Sequence, residues 1–221
     1  MTSWYSSFLT KLTIGFVILI LITSGLTVIY TYGATRDALK ESTRDQMTSV
    51  AGIMASQVNG DQVALLTRGG ENSTTYRGIQ NQLLTMRKDQ PAFKYAYILR
   101  VVNGQAEFLL DDTYGTDPRA AATGDAYPDA EIATITAALK EPTASPAFHT
   151  DQWGTFISGY APVKDSTGKV VGVLGVDTDA STMIDRQNFI GYLIYLIIGI
   201  SVLVAGAIVA LFSKTTRREN P

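Results

Sequence analysis

The chain of 221 residues is 46% apolar, carries 18 basic against 20 acidic side chains, and has no cysteine and a single histidine. That balance excludes a strongly basic nucleic-acid-binding protein, and the missing cysteine excludes both a thiol enzyme and a small disulfide-stapled scaffold. The charges avoid two long stretches: residues 12–35 and 187–213 carry none.

The first stretch predicts a membrane helix over residues 12–32. At about 1.5 Å per residue it is long enough for a hydrocarbon core of about 30 Å. A cleaved signal peptide is the competing reading. Its apolar core would span about 7 to 15 residues and end at a small-residue cleavage site. The longer run here ends in Tyr30 and Tyr32, which suit a membrane interface and favour an uncleaved anchor.

Next comes Ala34 to Leu66, free of proline, with Met47, Val50, Met54 and Val58 on one helical face. The span is expected to continue into this helix as a stiff rod, with Gly60 and Gly69-Gly70 ending the pattern. Opposite charges at Asp37 with Lys40 and Glu41 with Arg44 support its first turns. A second helix is predicted over Tyr76 to Asp89, with Tyr76, Ile79, Leu83 and Met86 inward and Pro91 closing it. Strands Tyr95–Val102 and Gln105–Leu110 flank Asn103-Gly104, a strong hairpin signal. Residues 111–127 read as a long ordered loop, after which Pro128 opens a short helix carrying Ile132, Ile135 and Leu139. A last hairpin joins Thr155–Val163 to Lys169–Asp177, apolar on both faces and therefore central. The second span is placed at residues 189–212, where Ser201 with Ala205 and Gly206 with Ala210 form small-residue pairs that suit helix packing.

Residues 33–188 thus form an α+β domain with one curved antiparallel sheet, flanked by two transmembrane helices. It holds 19 acidic against 14 basic residues, a formal −5 that speaks against nucleic acid. Lys11 precedes the first span, and Lys214, Arg217 and Arg218 follow the second against Glu219 alone. Basic flanks stay inside, so residues 1–11 and 213–221 are expected to be cytoplasmic and the domain extracytoplasmic. The bilayer is its first partner. Asn72-Ser73-Thr74 is a glycosylation sequon of the kind that also arises by chance.

Among polar constellations, Asp111, Asp112, Tyr114 and Asp117 share the long loop, with Tyr127 nearby. They would line a pocket, or the aspartates would simply cap their own loop. An EF-hand calcium loop is excluded by spacing, and no metal or other cofactor is expected. Trp153 and Tyr160 belong to the penultimate strand, whose Phe156, Ser158 and Tyr160 share a face; Phe156 is expected in the core. Tyr97 and Tyr95 share a strand face with Leu99, and one of them is expected to reach the pocket. Asp177 ends a central apolar strand, where a carboxylate needs a partner: a ligand, or a loop tie. His149 is expected at the surface. Ser158-Gly159 lacks the nucleophile-elbow frame and Gly172 to Gly175 lacks a following helix, so no catalytic set is present and a non-enzyme is expected.

The segment Trp153 to Asp177 runs Trp-Gly-Thr-Phe-Ile-Ser-Gly-Tyr before its Lys164-to-Gly168 turn and Val-Val-Gly-Val-Leu-Gly-Val-Asp after Lys169. It resembles the final hairpin of Cache domains, the PAS-like extracytoplasmic sensors of histidine kinases, chemoreceptors and cyclases. Ile79 to Arg87, Tyr95 to Ile98 and Asp111 to Asp117 are similar to that family too, in its single-Cache form. The resemblance implies a sensor that holds a small carboxylate, amino acid or amine between sheet and covering loops, and shifts its two membrane-linked helices within a dimer. The candidate ligand contacts, from their loop and strand positions, are Tyr97, Asp111, Tyr114, Tyr127, Trp153, Tyr160 and Asp177. No kinase, cyclase or methyl-accepting region follows Lys214. Three readings stay open: a sensor signalling through a separate cytoplasmic protein, the sensor part of a receptor kinase or chemoreceptor, and a scaffold subunit with a protein-binding outer domain. A pocket filled by core side chains would favour the scaffold.

Overall fold

The structure, a computed structural model, describes residues 2–88, 90 and 92–218. Asp89, Pro91, Glu219 and Pro221, which figure in the sequence reading, lie outside the described residues. The chain divides into two compact units: one formed by the two ends, up to Ala38 and from Ile184, and one formed by Leu39–Met183.

The first unit holds the apolar parts of α1 (Thr2–Gln57) and α5 (Ser181–Arg218). Both helices are long and apolar enough to cross a membrane. Between them runs an apolar groove of about 430 Å³ that includes Ser24, Gly25, Ser201 and Ala205. The pair Ser201 and Ala205 therefore faces the other helix.

In the second unit, α1 ends at Gln57 rather than at Leu66. The Asn59 side chain accepts from the Gln62 N–H and starts a separate turn, α2 (Gly60–Val63). Helix α3 (Thr74–Lys88) buries Tyr76, Ile79 and Leu83, the face that its periodicity predicts. Strands β1 (Phe93–Val102) and β2 (Gln105–Asp111) meet at Asn103-Gly104, both with positive φ (52° and 76°), as the hairpin requires. The long loop that follows is not wholly irregular, because it ends in β3 (Ala126–Tyr127), paired with Ala106 and Glu107 of β2. The short helix α4 (Ile132–Ala138) begins four residues beyond Pro128, with Glu131 at its cap position. Two short strands absent from the sequence reading, β4 (Thr143–Ala144) and β5 (His149–Asp151), precede the hairpin of β6 (Gly154–Lys164) and β7 (Val170–Asp179). His149 is half-buried in β5 instead of lying on the surface.

The sheet order is β3-β2-β1-β7-β6-β4, with β5 also on β6, and the pairings are antiparallel. β7 is central, as expected from its two apolar faces. Strand alternation gives the sheet two different sides. Ala96, Ile98, Leu110, Ile157, Ala161, Leu174 and Val176 pack against α1, α2 and α3 in one cluster. Tyr97, Leu99, Phe108, Tyr127, Tyr160 and Val173 form the other, with Ile135 and Ala138 of α4. Helix α1 comes so close to β6 that a Cβ at Gly159 would lie 2.2 Å from the Met47 carbonyl oxygen, so only glycine fits there.

Candidate functional site

The second face of the sheet carries a small cavity. Its floor is built by three strands. Tyr95 and Tyr97 come from β1, Phe108 and Asp111 from β2, and Asp177 from β7; Tyr127, Asp151 and Trp153 close it from β3 and the β5–β6 turn. Residues 108 and 111 are three apart and would face opposite ways on a regular strand. A bulge between the Ile98–Leu110 and Leu99–Phe108 pairs turns both to the cavity.

The rings form a continuous wall. Phe108 stacks on Tyr127 at 5.2 Å, and Trp153 meets both edge-on at 5.8 and 5.5 Å. Tyr97 lies edge-on to Phe108 at 5.7 Å. Trp153 is fixed at its indole N–H, which donates to the Arg119 carbonyl at 2.9 Å. These side chains leave a free volume of about 20 Å³, room for a water molecule or so.

At the centre is Asp177, buried with 4% of its surface exposed. Its Oδ1 accepts from the Tyr97 hydroxyl at 2.9 Å, and Ser158 is paired directly opposite it on β6. The Tyr97 ring lies across Gly175, where a Cβ would approach it to 2.3 Å, so the small residue leaves the ring room beside Asp177. Burial pushes the Asp177 carboxyl up to about 7; the neighbouring Ser158 and Tyr97 hydroxyls oppose the rise, and the nearby Asp151 and Glu131 carboxylates add to it. The hydroxyls of Tyr97, Tyr127 and Tyr160 are driven upward by burial first and then by the Asp177 charge, so they stay protonated and act as donors.

The expected site residues divide three ways. Tyr97, Tyr127, Trp153 and Asp177 line the cavity, and so does Asp111. The Asp111 carboxylate, however, is occupied by its own loop: it accepts from Thr113 N and Oγ1 at 2.8 and 2.7 Å and from Ala121 N at 2.9 Å. Tyr160 lies just beneath, buried, with its hydroxyl 3.4 Å from Glu131. Tyr114 is not brought to the cavity; it packs edge-on against Tyr76 with the cluster on the other face. Asp112 also turns to that face, where it is fully buried and pairs with Arg87 Nε at 2.5 Å. Burial raises its carboxyl to about 6 against the lowering effect of Arg87.

Asp151 was missed by sequence reasoning, as were Phe108 and Glu131. Asp151 Oδ2 accepts from the Tyr127 hydroxyl at 2.5 Å, and its Oδ1 accepts from the Trp153 and Gly154 N–H groups at 2.8 and 3.2 Å. An Asp two residues ahead of a Trp-Gly pair is a turn signal that could have located it. Among the described residues no group of histidine and acidic side chains is placed to hold a metal ion.

No protein-family model and no curated protein matches the chain. Solved structures do. The sensor domain of the V. cholerae histidine kinase DctB matches at 11% identity and a TM-score of 0.50, over 74% of this chain and 57% of that one. The ligand-binding domain of the Campylobacter jejuni chemoreceptor Tlp3, in complex with L-valine, matches at 16% identity and a TM-score of 0.46, over 80% of this chain and 66% of that one. The chain spans less than two thirds of either. At such identities the likeness shows the fold, and the fold is that of Cache-like sensor domains.

Proposed function

We propose that this protein is a two-span membrane sensor whose outer domain takes up a small solute bearing a protonated amine in the cavity above Asp177. The observation that carries this reading is the lining: three carboxylates and five aromatic side chains, with no Lys, Arg or His among them. Aromatic faces and buried carboxylates favour a cation, whereas a bare carboxylate would be set against like charge. An amino acid fits as well, since Arg119 stands beside the cavity with its guanidinium 3.3 Å from the Tyr95 hydroxyl. Tyr97, Tyr127, Trp153 and Asp177 are the proposed ligand contacts, with Asp151 added and Tyr160 as the buried support. No catalytic role is proposed.

Residues 33–188 are proposed to lie outside the cell membrane, with 1–11 and 213–221 in the cytoplasm and the bilayer crossed at 12–32 and 189–212. Helix α1 runs without a break from the first apolar stretch into the domain, and Asp177 is four residues from Ser181, where α5 begins. A solute that prefers one arrangement of these elements shifts it by about 1.4 kcal/mol for each tenfold difference in affinity. A homodimer and a cytoplasmic output, by a separate protein or a further module, complete the proposal.

The free volume of about 20 Å³ favours a second reading, a scaffold subunit whose outer domain binds protein and no solute. Under the sensor reading, Trp153 and the β5–β6 turn move to admit the solute. Both core clusters lie within Leu39–Met183, so that segment can be tested alone. Its melting temperature, measured against small amines, amino acids and carboxylates, is expected to rise with amine or amino-acid concentration. A rise with carboxylates lacking an amine would refute the assigned ligand class, and no response to any of them would favour the scaffold.

A further inference from the structure

Ser145, just past β4, is fully buried and makes bonds to three different elements. Its N–H donates to the Ser158 carbonyl at 2.8 Å, and its hydroxyl accepts from the Ser158 N–H at 3.1 Å. The same hydroxyl donates to the Glu131 carboxylate, which also accepts from Tyr160 at 3.4 Å. Its carbonyl accepts from Arg44 Nε of α1 at 3.0 Å. Ser158 is the residue paired directly opposite Asp177 across the β6–β7 ladder. Its neighbour Gly159 touches the α1 backbone from the opposite face of the strand. Beyond Asp177, the next residue of β7 again reaches α1, with Thr178 Oγ1 3.2 Å from Met47 Sδ.

From this geometry we infer that Ser145 and Arg44 form a latch that makes the position of α1 depend on the state of the Asp177 carboxylate, through Ser158. The inference rests on the proposal that the cavity is the ligand site, and it names the positioning residues through which that site acts. Loss of charge at Asp177 changes the group that faces Ser158 across the ladder, and strand β6 settles differently against Ser145. The Ser145 carbonyl then carries the Arg44 side chain, and α1 with it. Packed helices in such transitions shift by about 1–2 Å. The test is a double-mutant cycle in which the link is cut.

The natural absence of cysteine allows spin labels at two exposed positions of the full chain, Ser49→Cys on α1 and Lys169→Cys at the start of the β7 hairpin arm. Their separation is measured at pH 8 in lipid nanodiscs by pulsed electron resonance, with and without Asp177→Asn. The expected result is a shift of about 1–2 Å on neutralising Asp177 that vanishes when Arg44→Ala or Ser145→Ala is added. Superimposable distances with the latch intact would overturn the inference. So would a shift of equal size with the latch cut, because a merely structural Arg44 changes the distance without removing its dependence on residue 177. If Asp177→Asn does not fold, Ser158→Ala supplies the same perturbation from the other strand. The measurement uses no solute, so its outcome is separate from that of the amine screen.

Discussion

Replacing Asp177 by Asn keeps the size and hydrogen-bonding capacity of the buried group and removes its ionisation. In the folded protein the carboxyl is pushed up to about 7 from an ordinary 3.8, so the native state holds a proton that the unfolded chain releases. The stability that this proton contributes is complete below about pH 4 and is lost as pH rises through about 7. At about 1.36 kcal/mol per pH unit of displacement, the whole loss is on the order of 4 kcal/mol. Between pH 5 and pH 8 it is about 2–3 kcal/mol. For a domain of this size that corresponds to roughly 8 °C in melting temperature. The assay is thermal unfolding of Leu39–Met183 at half-unit steps of pH, with wild type and Asp177→Asn side by side so that every other titration cancels. The wild-type midpoint is expected to fall against that of the variant across this window, leaving the variant the more stable at pH 8. Parallel curves would refute the reasoning, because they would mean that the carboxyl titrates as an exposed acid does.

The same ionisation governs binding: affinity for a permanently charged amine should rise about tenfold per pH unit below pH 7 and level off above it, and Asp177→Asn should flatten the profile in titration calorimetry. Arg87→Ala leaves Asp112 buried without its cation, at a cost of about 3–5 kcal/mol in urea unfolding at pH 8. The cost should shrink at pH 5, where Asp112 is protonated, and Asp112→Asn in the same chain should recover part of it. Gly175→Ala drives a methyl into the Tyr97 ring; a loss of about 1–3 kcal/mol in stability is expected, with displacement of the Tyr97 hydroxyl from Asp177 seen as a change in near-ultraviolet circular dichroism.

The parts of this fold that could be read from the chain are those with a period. The α1 face at Met47, Met54 and Val58, the α3 face and the final hairpin follow from spacing alone, because burial repeats at 3.6 or 2 residues. Strands of two or three residues have no period to detect, which is why β3, β4 and β5 were not foreseen. Asp151 went unseen for the same reason, since its role depends on β5 bringing the turn over Tyr127. Tyr97, Trp153 and Asp177 were legible from strand alternation near the loop. Tyr114 and Asp112 were misplaced because the chain leaves the sheet after Asp111. The alternation that sends Asp111 to the cavity there sends Asp112 to Arg87, and a turn then carries Tyr114 to Tyr76.

Strand alternation also explains how one carboxylate can matter to two elements. On β6, Ser158 faces the cavity and Gly159 faces α1; on β7, Asp177 faces the cavity and Thr178 faces α1. Consecutive residues on the same two strands therefore lie on the cavity side of the sheet and on the helix side, with a single sheet thickness between them. Met47 and Ala51 of α1 lie directly against Gly159, so β6 cannot move toward a solute without changing its fit to them. The lever is short because the glycine at position 159 admits the helix backbone itself. A larger residue there would hold α1 away from the strand and leave the Arg44 contact to Ser145 without its support. Gly159→Ala is thus expected both to destabilise the domain by more than about 1–3 kcal/mol and, in any folded fraction, to abolish the response of the Ser49–Lys169 distance to Asp177→Asn. A folded Gly159→Ala domain that keeps the full response would show that the close packing of α1 on β6 is not what transmits the change.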